Sequence, residues 1–293
     1  MPTYDTTVDP DAANTSHALM LDLVGGGSRV LDVGCATGYL AQALAARGCT
    51  VSGVEMDPAA AEIARPLLDR LVVGNLAELD LVAELGAGQF DVVVLGDVLE
   101  HLEQPEAVLR SMVPLLAPGG SFVISTPNVA HGSLRLGLLL GRWEYTDRGL
   151  LDRTHLRFFT RASLRALLRT AGLVPTELRR TVVDPLGGEV RIDPATLPAG
   201  LIDWVRAQPD ADTYQFVWRA VPDTDAAVAQ LARERDELTD RLGALGAELA
   251  SARRERDDAR GSLDELQRTR VMRWSALPRG AYRRVRTAMG RGR

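Results

Sequence analysis

The sequence contains no lysine, only two cysteines and no long hydrophobic run. Cys35 and Cys49 cannot form the disulfide framework of a small secreted protein or the ligand set of a zinc ribbon. No apolar stretch approaches the roughly 20 residues that cross a bilayer, which excludes a membrane transporter. The polar, acidic stretch 1–11 does not have the composition of a signal peptide. We therefore expect a cytoplasmic protein.

The charge is distributed unevenly along the 293 residues, whose formal net charge is −5. Residues 267–293 contain nine arginines and no acidic residue, so the remainder of the chain carries −14. A basic segment on an acidic protein indicates an anionic partner. We expect an anionic surface at the inner face of the membrane. Nucleic acid is not favoured, because the acidic body has no recognisable base-reading module.

Short apolar runs that predict strands alternate with helical segments over the first part of the chain. The predicted strands are 29–33, 50–55, 71–73, 90–95, 121–125, 174–183 and 214–221. Alternation with short links is typical of an α/β protein with helices on both faces of a parallel sheet. The sequence therefore predicts a doubly wound, mostly parallel, seven-stranded sheet.

A heptad pattern begins after this domain and continues for more than five repeats. Position a holds Val228, Arg235, Leu242, Leu249, Arg256 and Leu263, and position d holds Leu231, Leu238, Leu245, Ala252, Ala259 and Leu266. Such a register predicts a coiled-coil helix, and a solvated single helix is the alternative. The expected organisation is a domain over 1–222, a coiled coil over 223–270 and a basic amphipathic tail over 271–293. We expect the coiled coil to form a homodimer or a docking site.

The strongest local motif is the run VLDVGCATG at 30–38, between the first predicted strand and its helix. Small residues at Gly34 and Gly38 allow the backbone to approach a ligand closely. The turn lies at the carboxyl edge of a parallel sheet, where doubly wound folds bind ligands, and Glu55 ends the next strand. A carboxylate there can accept hydrogen bonds from both hydroxyls of a ribose. The pair predicts a nucleoside-binding site.

This arrangement resembles the class I S-adenosylmethionine (SAM) methyltransferases over about residues 15–221. The resemblance rests on the glycine-rich turn, Glu55, Gly74-Asn75, Gly96-Asp97 and Pro118-Gly119-Gly120, which occur in the family's order. It implies a Rossmann-like methyltransferase fold and SAM as the cofactor. The residues expected to contact SAM are Asp32, Gly34, Cys35, Gly38, Glu55, Met56, Gly74, Asn75, Leu76, Gly96 and Asp97.

Two readings are open for the chemistry at the methyl acceptor. The run DVLEH at 97–101, with His155 later in the chain, resembles two metal-using groups, the ubiquinone-pathway O-methyltransferases and the small-RNA 2′-O-methyltransferases. The candidate ligands of a divalent metal such as Mg²⁺ are then Asp97, Glu100, His101 and His155. The favoured reading needs no metal and uses a histidine as general base, since a hydroxyl loses its proton as it attacks the methyl group. Its candidates are His155, His131 and His101.

The acceptor itself is expected to bind in an insert over about 127–159, which is rich in aromatic residues. The basic tail, with its run RWSALPR at 273–279, resembles the tail that follows a coiled coil in some bacterial cell-surface glycan glycosyltransferases and their partner methyltransferases. The main prediction is therefore O-methylation of a sugar hydroxyl on a saccharide or lipid-linked saccharide. The alternatives are a quinone or small aromatic acceptor, an RNA 2′-hydroxyl, and a non-catalytic SAM-binding scaffold.

Overall fold

A computed structural model describes residues 8–9, 12–223 and 226–268. The chain forms two compact units, Met1–Glu237 and Leu238–Arg293. The basic tail predicted at 271–293 lies outside the described residues. Among the helices described, none has the length and apolar character that a membrane span requires.

The first unit contains seven strands, and helices precede or follow most of them. The strands are β1 (Arg29–Val33), β2 (Thr50–Glu55), β3 (Leu71–Val73), β4 (Phe90–Gly96), β5 (Leu116–Pro127), β6 (Leu173–Val182) and β7 (Thr213–Pro222). The helices are α1 (Ser16–Val24), α2 (Tyr39–Ala46), α3 (Pro58–Ala64), α4 (Leu81–Leu85), α5 (Pro105–Met112), α6 (Gly132–Leu139), α7 (Arg161–Thr170), α8 (Leu201–Arg206) and α9 (Ala226–Arg268). Short 3₁₀ turns occur at Arg65–Leu67, Leu99–His101, Val113–Leu115 and Pro194–Thr196.

The seven strands form one sheet in the order β3-β2-β1-β4-β5-β7-β6. Strands β1 to β5 pair in parallel, and β7 is antiparallel to both of its neighbours. This confirms the predicted doubly wound, mostly parallel, seven-stranded fold. The carboxyl ends of β1, β2 and β4 therefore meet at one edge of the sheet.

Strand β4 shows why the sequence is apolar on both faces of the sheet. Val93 and Leu95 pack into one hydrophobic cluster with helices α4, α5 and α7, whereas Val92 and Val94 pack into a second with α1 and α2. Side chains alternate between the faces of a strand, and a parallel sheet covered by helices buries both. The two clusters hold the carboxyl edge in place.

Two element boundaries differ from the prediction. Strand β5 begins at Leu116 rather than near residue 121, because its first residues pair with Phe90 before a register shift. The first turns of α9 belong to the first unit, because Ala232 packs against Val174 and Val221. The unit boundary thus lies inside the long helix, after Glu237 and not after residue 222.

The acceptor insert is anchored by one buried asparagine just after β5. The amide nitrogen of Asn128 donates to the main-chain oxygens of Asp210 (3.0 Å) and Thr213 (2.8 Å), and its amide oxygen accepts from the nitrogen of Ala130 (2.9 Å). The side chain is fully buried. Asn128 therefore joins the start of the insert to the segment before β7.

We expect Asn128→Ala to lower the free energy of unfolding by about 3 kcal/mol, because three buried polar groups lose their partners. Urea unfolding followed by circular dichroism measures the change. The exposed Gln89, whose side chain bonds to the oxygen of Ala87, provides the control Gln89→Ala, which should change stability by less than about 0.5 kcal/mol. Equal effects of the two variants would contradict the anchoring role of Asn128.

Candidate functional site

The turn between β1 and α2 is made of residues in the left-handed backbone region. Gly34 has φ +72°, Ala36 +47° and Gly38 +82°. A side-chain carbon added at Gly34 would lie 2.9 Å from a methyl carbon of Val98, closer than real contacts allow. Only glycine fits there, because both the conformation and the space exclude a side chain. The turn after β1 therefore packs closely against Val98, which follows β4.

The Glu55 carboxylate ties this turn to the end of β2. One oxygen accepts from the nitrogen of Ala36 (2.8 Å), and the other accepts from the nitrogens of Met56 and Asp57 (2.8 Å each). A carboxylate has about four acceptor positions, and these three bonds leave about one of them for a hydroxyl of a ligand. Glu55 is half-buried, whereas the side chain of Met56 is exposed. The ribose prediction for Glu55 is compatible with this placement.

Asp32 brings a second, deeply buried acid to the same edge. Its side chain is 3% exposed, and one carboxylate oxygen has no hydrogen-bond partner in the described chain. Burial, assisted by the charge of Glu55, raises the pKa of Asp32 to about 7. The same two acids, after burial, raise the pKa of the Cys35 thiol, so Cys35 stays neutral. A buried carboxylate oxygen without a partner, as in Asp32, favours a cationic ligand.

The residues after β3 and β4 complete this edge. The Asn75 side chain is used locally, because its oxygen accepts from the nitrogen of Ala77 and its nitrogen donates to Glu78. Gly74 donates its main-chain N–H to the oxygen of Glu55, and Leu76 packs against the core. A side-chain carbon at Gly96 would lie 3.1 Å from the terminal methyl group of Met20 in α1. Helix α1 therefore lies close to the end of β4.

Asp97 takes a different position from the one expected for a metal ligand. Its φ is +55°, so it does not join the helical turn that carries Glu100 and His101. One carboxylate oxygen accepts from the hydroxyl of Ser125 (2.7 Å), and the Gln215 amide donates to both oxygens (2.8 and 2.9 Å). Asp97 is consequently outside the group of possible ligands found around Glu100. No sequence signal pointed to Gln215, which lies 118 residues away.

Glu100, His101 and His155 form the cluster that could hold a metal. Their ligand atoms all lie within 4.8 Å of one another. The two histidine rings are 4.9 Å apart, and the side chain of Glu100 is 1% exposed with no hydrogen-bond partner for either oxygen in the described chain. Burial, followed by the charge of Asp97, raises the pKa of Glu100 well above its usual range. A divalent cation would satisfy this orphaned carboxylate.

Main-chain oxygens orient both imidazole rings of the cluster. Nδ1 of His101 lies 3.2 Å from the oxygen of Thr154. Because a carbonyl only accepts, Nδ1 carries the proton in this hydrogen bond and Nε2 presents its lone pair. The main chain of Leu150 bonds the His155 ring in a similar way, and burial lowers the pKa of His155. Such second contacts are typical of metal-binding histidines.

His131 is not placed to act as a base. The side chain is fully buried; Nδ1 lies 2.8 Å from the hydroxyl of Ser133 and Nε2 lies 2.9 Å from the main-chain oxygen of Val183. The ring also caps the start of α6. Both nitrogens are engaged, so neither can take a proton from an acceptor. This corrects the expectation for His131.

The insert does line a cavity, of about 240 Å³. Arg142, Glu144 and Thr146 contribute from the insert, and Glu189 and Arg191 from the segment before α8.

His17 of α1, for which the sequence offered no role, lies with its ring 5.3 Å from that of Tyr39. Burial lowers the pKa of His17, and the charge of Asp97 opposes this shift.

The fold and the sheet edge define the class of protein. A doubly wound sheet with β7 antiparallel, a glycine-lined turn after β1 and an acid ending β2 is typical of SAM-dependent methyltransferases, and this chain is such an enzyme. The residues present fit SAM, since Glu55 keeps an acceptor position for a ribose hydroxyl and the orphaned oxygen of Asp32 suits the positive charge of SAM. Residues 11–178 match the model of the family described as "Methyltransferase domain", and the chain belongs to that family.

Two curated relatives carry the same name, "Ubiquinone biosynthesis O-methyltransferase". The protein from Xanthomonas axonopodis pv. citri is 34% identical over 178 residues, 58% of this chain and 72% of the relative. The protein from Thiobacillus denitrificans is 35% identical over 177 residues, 58% of this chain and 75% of the relative. A SAM-dependent methyltransferase from Archaeoglobus fulgidus has the same fold, with TM-score 0.50 at 18% identity, covering 70% of this chain and 94% of that structure.

We expect Glu55→Gln to raise the dissociation constant for S-adenosylhomocysteine by about 10- to 100-fold. The amide keeps the size of the side chain but removes the charge that strengthens its hydrogen bonds. Isothermal titration calorimetry measures the affinity, and the half-buried Glu106, which pairs with Arg110 in α5, provides the control variant Glu106→Gln. An unchanged affinity in Glu55→Gln would contradict the ribose assignment.

The raised pKa of Asp32 predicts a pH dependence of stability. Between pH 4 and pH 7 the folded ligand-free protein retains a proton on Asp32 that the unfolded chain has lost, so stability falls as pH rises, by at most about 1.4 kcal/mol per pH unit. Asp32→Asn should remove this part of the slope. Urea unfolding of both proteins at several pH values measures the difference, and parallel curves would contradict the assignment.

Proposed function

We propose that this enzyme is an O-methyltransferase that acts on a hydroxyl of a small aromatic acceptor of the quinone-precursor type, with a divalent cation held by Glu100, His101 and His155. The observation that carries the proposal is the buried, unpartnered Glu100 carboxylate beside two oriented imidazoles. Here the structure favours the metal reading over the metal-free reading that the sequence favoured. The cation would bind the acceptor oxygen and make its proton easier to remove.

The surrounding residues keep the cluster in position. Asp152 accepts from the nitrogen (2.8 Å) and the hydroxyl (2.6 Å) of Thr154, whose main-chain oxygen in turn bonds His101. Burial acts to raise the pKa of Asp152, but the hydrogen bonds from Thr154 and the charges of His155 and His101 together lower it. Asp152 therefore stays ionised and holds Thr154, so that His101 keeps Nε2 directed away from the main chain.

Aromatic residues of the insert adjoin the cluster and suit a planar acceptor. The Phe158 ring lies 6.2 Å from the His155 ring and 5.6 Å from the Trp143 ring, in edge-to-face arrangements. Edge-to-face and offset contacts are the geometries by which rings recognise one another. This surface, together with relatives named as ubiquinone biosynthesis O-methyltransferases, supports the aromatic acceptor over the sugar acceptor. The tail that suggested a sugar lies outside the described residues.

The assay uses the purified full-length protein with methyl-labelled SAM. A catechol that carries a short prenyl chain serves as the aromatic probe, and a set of free monosaccharides serves as the sugar probe. We expect label in the catechol only, and loss of that activity by about 100-fold or more with EDTA, restored by Mg²⁺ or Mn²⁺. Methylation of the sugars alone would overturn the acceptor assignment.

Two substitutions distinguish a mechanism that uses a divalent cation from one that uses a histidine as general base. Glu100→Gln and His155→Gln should each lower kcat by about 100-fold, while the affinity for S-adenosylhomocysteine stays within a few-fold. Glu103→Gln is the matched control, because Glu103 is exposed three residues further along the same loop. Activity that resists EDTA and survives Glu100→Gln, but is lost in His155→Gln, would support the metal-free mechanism instead.

A further inference from the structure

The second unit exposes a row of large apolar side chains on a single helix. Leu238, Leu242, Leu245, Leu249 and Leu263 of α9 are each 53–70% exposed. The first four are separated by four, three and four residues, and Leu263 lies two heptads beyond Leu249, so all five lie on one face. Aligned exposed leucines mark a surface that associates with another protein.

The remaining a and d positions of this face are occupied by residues that suit the close packing of another helix. In the heptad register, position a holds Leu242, Leu249, Arg256 and Leu263, and position d holds Leu238, Leu245, Ala252, Ala259 and Leu266. The glycines of this part of the helix, Gly243, Gly246 and Gly261, all lie outside a and d. Small alanines allow two helices to approach closely, and a polar residue at a single a position is a known determinant of register and oligomer state.

The charges that flank the apolar row identify the partner as a second copy of the same chain. Position g holds Glu248 and Glu255, and position e holds Arg253 and Arg260. In a parallel pair, position g of one helix faces position e of the next heptad on the other helix, five residues further along. Glu248 then faces Arg253 of the other copy, and Glu255 faces Arg260. By symmetry the dimer has four attractive pairs.

Other arrangements of two copies lose this complementarity. In an antiparallel pair, position g faces g and position e faces e, so the arginines at e oppose one another and a glutamate at g meets either another glutamate or Arg241. Sliding one parallel helix by a heptad brings Arg241 against Arg253 and leaves two attractive pairs. The in-register parallel pair also places the two Arg256 side chains in one layer beside Glu255 of the other copy.

We propose that residues 238–266 form a parallel, in-register, two-stranded coiled coil with the same residues of a second copy of this chain. The proposal is independent of the acceptor and of the metal. It specifies the orientation, the register and the ion pairs of the homodimer that the heptad pattern suggested.

Cysteine cross-linking of the full-length chain tests the orientation. Leu245→Cys and Ala259→Cys introduce a thiol at two d positions about 21 Å apart along the helix, and the native Cys35 and Cys49 are buried. In the parallel dimer both variants should form a disulfide with their own copy under mild oxidation. No antiparallel arrangement brings both positions against themselves. Ala247→Cys, at the outward f position, is the control that should not cross-link.

Sedimentation equilibrium of the unmodified protein should give the mass of two copies. Cross-linking at only one of the two d positions, or at neither, would overturn the orientation. A monomer across the micromolar range, or a trimer, would overturn the two-stranded assignment.

Charge reversal tests the ion pairs. Glu248→Arg with Glu255→Arg, and separately Arg253→Glu with Arg260→Glu, should each raise the dimer dissociation constant by at least about tenfold, because four attractive pairs become repulsive. An equimolar mixture of the two variants should form heterodimers at the native affinity. Arg254→Glu, at an f position, should leave the dissociation constant unchanged. Loss in both variants without rescue in the mixture, or no loss in either, would overturn the pairing.

Discussion

One main-chain oxygen brings the two halves of the candidate site together. The carbonyl of Glu100 accepts hydrogen bonds from the nitrogens of Leu156 (2.7 Å) and Arg157 (2.9 Å). These bonds join the loop after β4 to the end of the insert, more than fifty residues later. His155 is the residue just before this contact, so its ring meets His101 and the Glu100 side chain. The geometry of the metal cluster depends on this contact, and so does the position of Phe158 against His155.

Two buried acids, Asp32 and Glu100, lower the stability of the fold at positions that belong to the candidate site. Asp32 and Glu100 are each almost completely inaccessible, and each has a carboxylate oxygen without a partner in the described chain. Burying an unpaired carboxylate is unfavourable, which is why burial raises the pKa of both groups. Asp32 lies near the end of β1 and Glu100 lies in the turn that follows the neighbouring strand β4, where a cationic ligand and a metal ion would compensate them. Perturbed acids grouped at one edge of a sheet are a mark of a functional site.

The parts of the site that depend on neighbouring residues could be predicted from the sequence, whereas the parts that depend on distant contacts could not. The turn at Gly34 and Gly38 and the strand ending at Glu55 are local features, and the structure places them as expected. His131 and Asp97 belong to the second kind. The carbonyl of Val183 accepts a hydrogen bond from the His131 ring, and Gln215 and Ser125 donate hydrogen bonds to Asp97. These partners come from β7, from β5 and from the chain just after β6, and no spacing in the sequence shows which side chain a distant strand will meet.

The strands and helices show the same difference between features set by neighbouring residues and features set by distant contacts. Parallel strand β4 was predictable because burial on both faces leaves a continuous apolar run, and α9 was predictable because its heptad pattern is long. The start of β5 was not, because residues 116–120 contain proline and glycine, and they join the sheet only by pairing with Phe90 across a register shift. The sequence predicts one uninterrupted helix for α9 and does not separate its first turns from the rest. In the structure, Ala232 is buried against the first unit, whereas Leu242 is exposed. Heptad spacing reports which face of a helix is apolar, and only the packing shows what covers each part of that face.

The candidate site and the exposed apolar row lie in different units of the chain, and this limits the effect that association of two chains could have on activity. Every residue placed at the SAM edge or in the metal cluster lies in the first unit, Met1–Glu237. Pairing of residues 238–266 would put two such sites on one particle. For an acceptor that is itself repeated or concentrated on a surface, a second tethered site raises the chance of rebinding through effective concentration and not through new contacts. The alanines and the arginine in the apolar row weaken the pairing relative to an all-leucine row, and this makes the extent of pairing sensitive to protein concentration.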